Sequence, residues 1–90
     1  MNKPKYKIGD KIWLSVRRAH HFGEFVDFLY CGPAKVEDIW TSTVHGIIIK
    51  EYDLKFPFPL VGPNNTNYVV GQVLYFRCSD IDNNSELING

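Results

Sequence analysis

A side-chain rhythm of two, repeated in short bursts between turns, constrains this chain more than anything else in it. Ile12, Leu14 and Val16 alternate with Lys11, Trp13, Ser15 and Arg17. Only an extended strand places every second residue on one face. Gly9-Asp10 supplies a turn just before, so a first strand is expected over 11–18. Ile47-Ile48-Ile49-Lys50-Glu51-Tyr52 is rich in β-branched residues and reads as the most secure strand. Ala34 to Thr41 reads as its partner, which gives a hairpin joining 34–42 to 44–52 with His45-Gly46 at the turn. Between Tyr68 and Ser79, Val73, Tyr75 and Arg77 alternate with Leu74, Phe76 and Cys78 as a last strand or strand pair. Gly71 marks a bulge or a turn there.

The intervening segments are less regular. Arg18 to Gly23 reads as a loop. Glu24 to Cys31 fits two patterns: a short helix with Phe25, Phe28 and Leu29 on one face, or a strand in which Asp27 interrupts the alternation. Cys31-Gly32-Pro33 punctuates the chain. Leu54 to Asn67 holds Pro57, Pro59 and Pro63, and proline cannot donate to a ladder, so a loop or edge segment is expected. The polar, Asn-rich end reads as a disordered tail over 83–90, behind a single small domain over 1–82. The fold class expected is mostly β: four to five antiparallel strands with long loops and at most one short helix.

Ninety residues suit one domain, and 44% hydrophobic with 14% aromatic residues is too apolar for disorder. Ten cations balance ten acids, which argues against a general nucleic-acid binder. The balance is uneven, however. Residues 1–22 carry six cations against one acid, and the remainder carries four cations against nine acids. Met1 to Lys7 is polar, and no apolar stretch long enough for an export signal or a membrane span follows. A cytoplasmic location with no membrane association is therefore expected, with Cys31 and Cys78 reduced and buried.

Lys7-Ile8-Gly9-Asp10-Lys11-Ile12-Trp13 resembles the opening of SH3-like small barrels of the KOW and Tudor type, where a Gly-Asp turn leads into the first strand. Val36-Glu37-Asp38-Ile39 with Gly46 to Tyr52 resembles their central meander, and Phe76 to Ile81 their closing strand and turn. The resemblance spans residues 6–81 and rests on generic pattern. It implies a small β-barrel that holds peptides or nucleic acid on its loops and adjoining aromatics.

No catalytic pattern stands out. His20, His21, Cys31, His45 and Cys78 lack the spacing of a zinc site. The serines lack a nucleophile-elbow context, and no Gly-rich phosphate loop is present. No cofactor, no metal and no enzymatic activity are expected. The expectation is a non-enzymatic module that docks on a larger protein partner, such as a small accessory or inhibitor protein. Trp13, Arg17, Arg18, His21, Phe22, Tyr30 and Trp40 are its expected contact residues, because aromatics and arginines anchor interfaces. Two alternatives remain open. One is a nucleic-acid-binding barrel using Lys3, Lys5, Lys7, Lys11, Arg17 and Arg18. The other is an oligomeric structural protein with Phe56 to Val61 as its contact arm.

Overall fold

The first alternating burst folds as expected, and then keeps going. In a computed structural model, which describes residues 3–21 and 24–88, strand β1 runs Lys11–His21 and buries Ile12, Leu14 and Val16. Strand β2, Glu24–Val44, turns back antiparallel to it. The stretch expected to be a loop at 18–23 is instead strand as far as His21, which pairs with Glu24; Phe22 and Gly23 lie outside the described residues. Residues 24–31 are strand, not helix. β3, Ile47–Lys55, pairs with β2 from Val44↔Ile47 onward, around the expected His45-Gly46 turn.

β2 has 21 residues, which at ~3.3 Å each would reach roughly 69 Å if straight. The longest dimension of the molecule is 35 Å, so the strand must bend. Two bulges do this, because an extra residue tilts the strand and increases its local twist. Phe28 and Leu29 of β2 together face Arg17, between the pairs Val16↔Tyr30 and Arg18↔Asp27. Glu37 is the extra residue between Val36↔Leu54 and Asp38↔Asp53. The first half of β2 therefore pairs with β1 and the second half with β3, and Lys35 pairs with both.

The proline-rich stretch is a loop with its own small hairpin. β4, Leu60–Val61, pairs with β5, Asn67–Tyr68, around a 3-10 turn at Pro63–Asn65. β6, Val73–Arg77, adds to β3, and the short helix α1, Cys78–Asp82, follows it. The final residues correct the expectation of a disordered tail. Ser85–Leu87 form β7 beside β1, with Leu87 opposite Ile12 and Ser85 opposite Leu14. The main sheet is one antiparallel ladder in the order β6-β3-β2-β1-β7. Among the described residues no ladder joins β6 back to β1, so the sheet is not closed into a barrel.

The concave side of the sheet holds the core. Ile12, Leu14, Val16, Phe28, Val36, Tyr52, Leu54, Phe56, Phe76 and Ile81 are all fully buried, each contributing about 1.5–3 kcal/mol when removed from water. Phe28 stacks on Phe76 at 4.7 Å and meets Phe56 edge-on at 6.1 Å. One polar chain ties the ends of the sequence to this core. The Tyr52 hydroxyl donates to Asp82 at 2.6 Å and accepts the Tyr6 N–H at 3.1 Å, while the Lys5 N–H donates to Asp82 at 3.1 Å.

Candidate binding face

Cross-strand register decides which side chains stand together on the outer, convex face. Lys11 of β1 is the partner of Lys35 of β2, and Lys35 is the partner of Lys55 of β3. Register partners share a face, so three lysines form one row across three strands. Neighbouring strands lie ~4.8 Å apart, and like charges directly opposite one another destabilise a sheet. All three lysines are exposed. Lys55 reaches Glu37 at 3.6 Å. Among the described residues Lys11 and Lys35 have no carboxylate within ion-pair distance.

The row borders an open groove of about 510 Å³ whose other walls include Pro33, Phe56, Pro57, Phe58, Val70 and Ile88, with Glu37, the partner of Lys55, also in its lining. Phe58 and Val70 are more than half exposed. The proline-rich loop brings Pro57 and Phe58 up beside Lys55, and the turn ending in Gly71, whose φ of +87° suits glycine, places Val70 opposite them. The groove therefore combines an apolar floor with a cationic margin.

One row away along β1, Trp13 stands outward over its register partner Pro33 and is 49% exposed. In the other direction lies a row of opposite sign. Asp38 of β2 is the partner of Asp53 of β3, and Trp40 is the partner of Glu51. Trp40 is 52% exposed, and its indole Nε1 donates to Asp53 at 2.6 Å. Tyr75 of β6 lies opposite Asp53, and its hydroxyl is held above the usual phenol range by burial first and then by Glu51 and Asp53. With Thr41 and Ser42 these residues line a shallow cleft of about 370 Å³. The outer face thus reads, along β2, as tryptophan and proline, three lysines, two aspartates, then tryptophan and glutamate.

The expected contact residues do not form one patch. Trp13 and Trp40 are on the outer face at either side of the charged rows. Arg17 and Arg18 are exposed but stand at the far end of β1 from Lys11, about 20 Å away at ~3.3 Å per residue. Arg18 already lies over the Phe25 ring at 4.5 Å, with its Nε 3.2 Å from Asp27. His21 is buried, its ring against Tyr75 and Phe76 and its Nδ1 3.2 Å from the Tyr75 carbonyl. It fills the seam between β1 and β6 and offers nothing to a partner. Tyr30 is also structural: its ring meets Phe56 edge-on at 4.8 Å and its hydroxyl donates to the Pro33 carbonyl at 2.6 Å. Phe22 lies outside the described residues. Lys35, Lys55 and Val70 were not singled out by the sequence, and Phe58 only as part of the Phe56 to Val61 arm, because strand register brings the lysines to Lys11 and the loops bring the apolar residues beside them.

The nucleophile and metal candidates are scattered. His20 donates from its backbone N–H and its Nδ1 to Asp80, each at 2.8 Å. Cys78 is buried, and burial, reinforced by Asp82, pushes its thiol up to about 12. Cys31 corrects the expectation of two buried thiols, since it faces outward beside Ser15. Among the described residues no three of His, Cys, Asp or Glu come together as metal ligands, and no helix is long and apolar enough to cross a membrane. No known protein family, no curated protein and no solved structure matches this chain.

Proposed function

We propose that this chain is a non-enzymatic protein-interaction module whose groove takes an acidic, apolar-anchored segment of a larger protein. One observation carries the reading. Three lysines held in register against their mutual repulsion border an exposed apolar groove. An arrangement that costs the free protein stability is at home where an anionic partner relieves it. The apolar floor suits an aromatic or aliphatic anchor, and Trp13 and Phe58 are the exposed rings at its margins. A partner such as an enzyme or assembly that this small protein regulates or assists fits the size of the surface.

The architecture we favour is that of an SH3-like module. Support comes from the meander β1-β2-β3-β6, the helical turn α1 before the last strand, and the return of β7 to β1. A reducing cytoplasmic setting goes with this reading, as the two cysteines are unpaired, one outward and one in the core. The proposal includes no catalytic step; the Cys78 thiol lies buried in the core and the His21 ring packs between β1 and β6. The acidic row beside the lysines disfavours a continuous phosphate backbone, so a nucleic-acid partner is the outcome against us.

The test is fluorescence anisotropy with three labelled probes: peptides carrying Asp or Glu around a Trp or Phe, basic peptides of the same length, and a single-stranded oligonucleotide. The acidic aromatic peptides should bind, Lys35→Glu should weaken them by tenfold or more, and Phe58→Ala should weaken them without changing the salt dependence. Equal binding of the basic peptides, or tighter binding of the oligonucleotide with a steep salt slope, overturns the proposal.

A further inference from the structure

The outer face carries its two charged rows side by side, and this arrangement is self-complementary. We infer that the protein associates reversibly with a second copy of itself through this face, with the lysine row of each copy on the aspartate row of the other.

The geometry follows from the register. On β2 the rows meet at Lys35 and Asp38, with the bulged Glu37 between them and held by Lys55 at 3.6 Å, and on β3 at Lys55 and Asp53. A two-fold axis parallel to the plane of the sheet, above its outer face and running between the rows along their direction, reverses position along the strands and keeps each strand's lateral place. With that axis raised off the sheet to the middle of the interface, Lys35 of one copy lies over Asp38 of the partner copy, and Lys55 over Asp53. The next rows outward also correspond. Pro33 of one copy falls over Trp40 of the other, giving an exposed indole an apolar surface. The same pair of patches is used twice, as a two-fold interface requires. Formal net charge is zero at neutral pH, so the two copies do not repel each other as wholes.

The convex faces meet over a narrow stripe, which makes a weak, salt-sensitive dimer. Self-association covers the lysine row, so it competes with the partner segment proposed above. It needs no such partner, and its test contains none, so either reading can fail alone.

The experiment is sedimentation velocity on the full chain from about 10 µM to 1 mM, at low and high salt. The wild type should dimerise with increasing concentration, and high salt should weaken the dimer several-fold or more. Lys35→Glu and Asp38→Lys should each sediment as monomers alone, because each sets like charges against one another twice across the axis. Mixed in equal amounts they should form a dimer of one copy of each, since every cross-axis pair is then opposite in sign. Lys55→Glu with Asp53→Lys gives a second pair should Asp38→Lys unfold, as circular dichroism would show. A wild type that stays monomeric at 1 mM in low salt, or mixed variants that fail to associate, overturns the inference.

Discussion

At the scale of single residues, the lysine row sets stability against use. Lys35 has a lysine on each side of it in register. Replacing it with threonine, a good strand former, removes two unfavourable pairs, and each such pair costs about 0.2–1 kcal/mol. Lys35→Thr should therefore raise the urea midpoint with an unchanged m-value while weakening acidic-peptide binding, by less than Lys35→Glu does. A lower midpoint would show that Lys35 serves the fold. The core makes a separate prediction through Cys78. Its thiol, ordinarily near 9.0, is raised to about 12 by burial and then by Asp82. The Tyr52 hydroxyl is raised as well, by burial and by its bond to Asp82. Above pH 9 the unfolded chain gives up the Cys78 proton and the folded chain keeps it. Stability is whole below pH 9 and falls as pH climbs towards 12, at a limiting slope of about 1.4 kcal/mol per pH unit. Urea melts between pH 8 and pH 11 should show this decline, and Cys78→Val should make it shallower.

At the scale of elements, the sequence was legible where alternation is unbroken and illegible where a bulge interrupts it. Ile12, Leu14 and Val16 point inward with Trp13 outward, and Ile47–Lys55 is a strand, as their patterns require. At Val16 the rhythm fails: Arg17 and Arg18 both face solvent and Ala19 is buried, because the opposite strand carries two residues against one. On β2 the period of two is kept through the same bulge: Val26, Phe28 and Tyr30 turn inward while Asp27, Leu29 and Cys31 face out, so the acid that spoils one phase of the alternation simply belongs to the outer face. The lysine row was invisible for a different reason. Lys11, Lys35 and Lys55 are distant in sequence, and one slip of register would send Lys35 to the other face. The hairpin turn was legible and is open to improvement. His45 and Gly46 both have positive φ, +50° and +78°, the backbone of a type I′ turn that asparagine and glycine fill best. His45→Asn should stabilise by a few tenths of a kcal/mol, and Gly46→Ala should cost about 1 kcal/mol, read from thermal melts of the two variants.

At the scale of the molecule, the two ends of the chain are built into one corner. Tyr6 meets Ser85 at 2.8 Å, and the Lys5 N–H and the Tyr52 hydroxyl share the carboxylate of Asp82. The Ser15 N–H donates to the Asn84 carbonyl and the Ile88 N–H to the Lys11 carbonyl. Composition alone marked the last residues as dispensable, yet their backbone completes the edge of β1. Glu86 and Leu87 face solvent and Ser85 turns to Tyr6, so hydropathy could not reveal a strand held by its amides and one hydroxyl.

β2 belongs to both halves of the sheet, and its bends are what let one strand do so. A protein divided between two hairpins could lose one and retain the other. Here the two hairpins run through one continuous strand, each on its own half, and join at Lys35, which pairs with both neighbours. A break in the backbone at Lys35 is inherited by both, and the groove, whose walls come from each side of that residue, disappears with either.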